Sequence, residues 1–178
     1  AENRGQWLGE VYTQAHRQLE IWRANGDPEF NKNIEKVDII HKHLERGGNH
    51  ELEEQWSFSR QASLQAFEEI YVWSGVYFNQ FYYESGMSKE SRKIVEDGLA
   101  QGLFTESLGA MGINNPKVSH APFFMLRKSN GETLYAAKDL ALAAQKMHDY
   151  PDHKRHIIVV DVRQTDHFKH VALTLGKM

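Results

Sequence analysis

The chain has no cysteine among its 178 residues. Disulfides and thiolate metal sites are therefore excluded, and the composition agrees with an intracellular protein. No apolar run reaches the roughly 18 residues that a membrane-spanning helix needs. The amino terminus, Ala1-Glu2-Asn3-Arg4-Gly5-Gln6, carries no apolar stretch of the kind that opens a secretory signal. Basic residues are not in excess: 21 Lys and Arg stand against 24 Asp and Glu, a net charge of −3. A protein that grips a nucleic-acid backbone by charge alone is usually basic. This segment is therefore not expected to be a main nucleic-acid-gripping surface. There is no internal repeat and no low-complexity stretch.

What is present reads as a folded chain. Hydrophobic residues make up 40% and charged residues 25%, a globular balance. The length suits one core, or a compact half of a larger domain. Apolar residues at Trp7, Leu8, Val11, Tyr12, Ala15, Leu19 and Trp22 predict an amphipathic helix from Trp7 to about Asn25. Gly26-Asp27-Pro28 breaks it and starts a second helix, with Phe30, Ile34, Val37, Ile40 and Leu44 on one side. Gly47-Gly48-Asn49 ends that helix. A third is expected from about Glu51 to Trp73, stopped by Ser74-Gly75.

After Ser74 the period changes. The aromatic run Val76–Tyr83 reads as a strand. Ser88 is expected to cap a helix near Lys89–Gln101, ended by Gly102. Leu103–Glu106, Ala110–Asn114 and Ala121–Lys128 read as short strands. Ser129-Asn130-Gly131 reads as a hairpin-type turn, because Asn-Gly tolerates positive φ. A helix near Tyr135–Tyr150, a strand at His156–Val162 and a helix near Thr165–Lys177 complete the pattern. The expected class is α/β, with a helical region over 1–74 and a mixed region over 75–178.

Two blocks carry the chemistry. Ile157-Ile158-Val159-Val160 is β-branched and apolar and ends abruptly in Asp161, Arg163, Gln164, Asp166 and His167. A buried parallel strand that releases polar groups at its carboxyl end reads this way. In open α/β sheets that end is where ligands bind. Upstream, Tyr135 and Asp139 are four apart and share one face of a helix. The bland alternative is an ordinary helix start, with Thr133 as cap and Tyr135 in the core. His41-x-His43 and His167-x-x-His170 have chelating spacings, but the first pair diverges on a helix and the second has no third ligand, so no metal is expected. The aromatic cluster Trp73, Tyr77, Phe78, Phe81, Tyr82 and Tyr83 has no interleaved basic residues. It reads as core and rim rather than as a stacking platform for bases.

Together these blocks resemble the arginyl-tRNA synthetases, class I enzymes that join arginine to its tRNA. The family has a Tyr-x-x-x-Asp helix followed by a strand and a Gln-x-x-His. Here these are Tyr135, Asp139, Gln164 and His167, in order and spacing. Phe67–Tyr71, Tyr83-Glu84-Ser85, Ile94–Leu99 and Gly102–Ala110 match further parts, and the resemblance runs from about Trp56 to Met178. It implies that Tyr135, Asp139 and Gln164 bind the side chain of substrate arginine, and that His167 lies on the nucleotide side. A guanidinium is planar, permanently charged and rich in N–H donors, and it wants a carboxylate with a flat aromatic or hydroxyl neighbour. Glu84-Ser85 reads as structural. Lys138 stands where the family more usually has Arg or Thr and is given no role. The fold implied is a connecting helical region and the second half of a Rossmann-like catalytic domain. ATP with Mg, arginine and tRNA are the implied partners of the full enzyme, in the cytoplasm, with neither membrane nor DNA.

Class I synthetases also use a His-Ile-Gly-His signature for ATP and a Lys-Met-Ser-Lys loop for the transition state. Neither occurs here. The expectation is an internal segment of a synthetase, inactive by itself. The alternative is a stand-alone, non-catalytic α/β binding or structural domain related to the synthetases.

Overall fold

The computed structural model describes residues 4–118 and 120–178. Among these described residues, six α-helices and one small sheet follow in the order α1 (Arg4–Asn25), α2 (Pro28–Arg46), α3 (His50–Ser74), α4 (Ser88–Ala100), β1 (Thr105–Ser107), β2 (Ala110–Asn114), β3 (Phe123–Arg127), α5 (Tyr135–Asp149) and α6 (Thr165–Leu175). They form two compact units, one ending at Gln80 and the other spanning Phe81–Met178.

The first unit is helical. Asp27 caps α2 by accepting from the Glu29 N–H at 3.0 Å, with Pro28 in the first turn where its missing N–H costs nothing. Asn49 caps α3 by accepting from the Leu52 N–H at 3.1 Å. At the far end, Gly75 takes the left-handed conformation and closes α3 onto the Tyr71 and Val72 carbonyls. Only Ala62 of α3 is buried, so the apolar stripes on these helices are largely exposed.

The second unit holds the core. Val95 of α4, Phe104, Met111 and Ile113 of β2, Phe124 and Leu126 of β3, Ala136, Ala137 and Leu140 of α5 and Val171 of α6 form one cluster. The sheet is antiparallel throughout, in the order β1-β2-β3. Ser107 pairs with Ala110, so Leu108-Gly109 is a two-residue hairpin loop. Both residues have positive φ, 51° and 78°, the twist that tight hairpins favour. The small side chains of Ala136, Ala137 and Ala141 bury one face of α5 almost completely. Phe104, just past α4, folds its ring back over Gly98, where a Cβ would come within 2.3 Å of the ring.

Several expected elements differ. The aromatic stretch 76–83 pairs with no strand among the described residues, and Trp73 and Tyr77 are each 85% exposed. The cluster is therefore not a packed core. β-propensity reports that a side chain suits a pleated surface; it does not supply the partner strand. The stretch 156–160 forms no ladder with any described strand, and Ile157, Val159 and Val162 lie 77%, 92% and 81% exposed. A parallel strand needs a neighbour brought alongside by a crossover, and no described strand runs beside this one. Ser88 is not a cap. A 3-10 turn at Glu84–Met87 feeds directly into α4, and Met87 at the cap position makes no side-chain hydrogen bond.

Candidate functional site

One face of α5 is fixed by the core through Ala136, Ala137, Leu140 and Ala141. That burial sets the rotation of the helix. It leaves Tyr135, Lys138 and Asp139 at the edge of the core or outside it. The helix starts at Tyr135 after Leu134, with no side-chain cap from Thr133. The Leu134 N–H instead donates to the Leu126 carbonyl at 2.9 Å, which anchors the first turn to β3.

Helix α6 is set in the same way. His170, Val171 and Thr174 are its buried residues. A polar network surrounds them. His170 Nε2 lies 2.8 Å from the Ala121 carbonyl, which can only accept, so the ring carries its hydrogen on Nε2. Nδ1 then accepts from the Asn115 amide at 3.2 Å. The same amide nitrogen donates to Thr174 Oγ1 at 3.2 Å, and Lys177 Nζ donates to Asn115 Oδ1 at 2.9 Å. With Asn115 1% and Thr174 0% exposed, the network satisfies polar groups that would otherwise be costly to bury.

Where α5 and α6 approach, Asp139 meets His167. His167 Nε2 is 2.6 Å from Asp139 Oδ2. Both side chains are half-buried. The Tyr135 ring lies 4.9 Å from the imidazole, with Phe124 at 5.6 Å and Phe168 edge-on at 5.0 Å. Gln164 sits at the cap position of α6, one turn before His167, and is exposed. Its backbone N–H donates to the Asp161 carbonyl at 2.9 Å, closing the 3-10 turn Val162–Gln164. Asp161 also accepts from Arg163, and that pairing holds its carboxyl below the usual range. Tyr135, Asp139 and His167 thus come together, whereas Gln164, three residues before His167, is exposed and makes no hydrogen bond to them.

Two long-range ties went unread in the sequence. Lys138 Nζ donates to Glu84 Oε1 at 3.0 Å, joining the Glu-Ser turn to the first turn of α5. The Tyr82 hydroxyl donates to Asp149 Oδ2 at 2.7 Å and fastens the other end of α5. The only sequence signal for the first was the unusual lysine itself. Among the described residues, no three His, Asp or Glu side chains gather as a metal site.

The pattern of the class I tRNA synthetase (R) catalytic domain matches residues 6–178. The chain belongs to this synthetase family. Its curated relatives include the arginine–tRNA ligase of Bdellovibrio bacteriovorus, 36% identical over 174 residues. That alignment covers 97% of this chain and 29% of the relative. The arginine–tRNA ligase of Clostridium botulinum is 33% identical over 168 residues, covering 94% of this chain and 28% of its own length. The enzyme of that name from Pediococcus pentosaceus is 32% identical over 131 residues, 74% of this chain and 23% of its own. The chain therefore spans under a third of the length of these relatives. Membership in the synthetase family accounts for the mixed α/β architecture, with a helical unit followed by a small sheet and its packed helices.

Proposed function

We propose that this segment supplies the arginine side-chain pocket of an ATP-dependent arginine–tRNA ligase. The observation that carries the reading is the meeting of Tyr135 and Asp139 with the start of α6, which bears Gln164 and His167. A half-buried carboxylate one turn along α5 from a tyrosine offers charge and a flat aromatic neighbour to a guanidinium. The Gln164 side chain is exposed at the cap position of α6, one helical turn before His167. The relatives are arginine–tRNA ligases, which supports arginine as the amino acid and tRNA as the acceptor.

In that reaction arginine is activated by ATP and passed to tRNA. Charge stabilisation at the transferring phosphate and positioning of the reactants carry the rate. The residues here do the selecting. A site built to pair a guanidinium rejects uncharged analogues because its own carboxylate would be left without a partner. ATP with its Mg is the co-substrate proposed for the full enzyme. Arginine, ATP and tRNA are thus the proposed partners, and the cytoplasm the proposed location.

The test is kinetic, in a full-length ligase that contains this segment. Asp139→Asn keeps the shape and removes the charge. Loss of the partner of a desolvated charge costs roughly 3–5 kcal/mol, on the order of a hundredfold or more in arginine use. Tyr135→Phe removes one neutral hydrogen bond and should cost about 0.5–1.5 kcal/mol. Near-normal arginine efficiency in the Asp139→Asn enzyme would mean that the carboxylate does not meet the substrate.

A further inference from the structure

Asp139 does not stand alone, and its partner is held unusually firmly. His167 approaches Asp139 Oδ2 at 2.6 Å, the short distance of a hydrogen bond to a charged acceptor. The imidazole is boxed by the rings of Tyr135, Phe124 and Phe168. Phe124 is itself 6% exposed and lies flat on His170, with centroids 4.7 Å apart and planes within 2°. His170 is locked at both nitrogens, by the Ala121 carbonyl and the Asn115 amide. A continuous run of contacts therefore links the buried Asn115–Thr174 network to His170, Phe124, His167 and finally Asp139. The imidazole cannot swing away from Asp139 without disturbing packed rings.

We propose that His167 is a positioning residue for the amino-acid pocket: it fixes the Asp139 carboxylate in the orientation that receives a guanidinium, and so sharpens selection for arginine. The proposal rests on the reading of Asp139 as the guanidinium acceptor. It moves His167 from the nucleotide side of the site to the amino-acid side. An Asp side chain turns about two bonds, and an unheld carboxylate would have to be ordered each time substrate bound. A carboxylate tied through Oδ2 is already oriented, so its remaining lone pairs meet the planar fork of a guanidinium without that loss. A free carboxylate could also shift to follow a shorter cation such as the ammonium of lysine. A held one cannot. The donated hydrogen bond further compensates Asp139 for partial burial while no substrate is present.

The experiment uses the full-length ligase with His167→Met, which keeps bulk and loses the donor, and His167→Gln, whose amide nitrogen can reproduce the Nε2–H. Arginine and lysine are compared in ATP–pyrophosphate exchange, alongside KM for ATP. His167→Met should raise KM for arginine about tenfold, the loss expected for a hydrogen bond to a charged group, with kcat and KM for ATP nearly unchanged. Preference for arginine over lysine should fall with it. His167→Gln should recover most of both. If His167→Met leaves arginine KM and preference intact, the inference is wrong. It is equally wrong if the change appears in KM for ATP, which would return His167 to the nucleotide side, or if both variants fail together with a lowered melting temperature, which would make the residue merely structural. Asp139→Asn measured beside them separates the two levels. Normal arginine use in that variant sinks the pocket reading itself, whereas a large loss there with an unaffected His167→Met sinks only the role of His167.

Discussion

Leu108 is the residue whose backbone and side chain disagree most. It holds φ at 51° in the β1–β2 hairpin and is fully exposed. A side chain with a Cβ resists that conformation, and Leu makes no compensating contact. Asn tolerates it far better and is the preferred partner of a following Gly in such loops. Leu108→Asn should therefore stabilise the chain by about 0.5–1 kcal/mol, read as a higher melting temperature or urea midpoint. A lower midpoint would show that Leu108 is not strained. At this scale some features were legible and others were not. Tyr135 and Asp139 could be placed on one helical face from their spacing, and Asp27, Asn49 and Gly75 announced helix ends. The partner of Asp139 could not be read, because His167 lies 28 residues away and reaches it only through the packing of two helices.

At the scale of elements, α5 is tied at both ends by side chains from the segment between the two units' helices. Lys138–Glu84 holds its start and Tyr82–Asp149 its end. The second tie depends on pH in both directions. The Tyr82 hydrogen bond, with help from His148 and Gln145, holds the Asp149 carboxyl below its usual range. That contribution is complete above the ordinary carboxylate range and is lost as pH falls through the lowered value. The same hydrogen bond, then burial, pushes the Tyr82 hydroxyl well above its usual range. This contribution is complete below the ordinary tyrosine value near about 10 and fades as pH rises beyond it. Tyr82→Phe should thus lower the melting temperature most between about pH 5 and 9, with the gap narrowing at both extremes. A gap that stays constant with pH would show that the tie contributes nothing. Helices and the Ala110–Asn114 strand were legible because their signals are local: three-four apolar spacing, glycine stops and a short apolar run after Gly109. The stretches 76–83 and 156–162 were misread because a strand is a relation between two segments. A sequence window shows only one of them.

Taken whole, the chain carries the residues proposed for amino-acid selection but neither nucleotide signature of its family. The 178-residue chain alone should therefore give no arginine-dependent exchange of pyrophosphate into ATP. Robust exchange by the purified chain would show that the nucleotide is handled by residues not suspected here. The apolar run at Ile157–Val160 carries a different consequence, for handling rather than chemistry. Four consecutive β-branched side chains stand in solvent with their backbone unladdered. Such a segment can nucleate cross-β stacking between copies, since each chain offers the next a matching row of donors and acceptors. Val159 touches little, being 92% exposed, so Val159→Lys should suppress light scattering on storage while leaving the far-ultraviolet dichroism unchanged. Equal scattering from both chains would clear the segment of blame. If the lysine does act, the stretch that looked most like a finished sheet in the sequence is the one that sets the shelf life of the isolated protein.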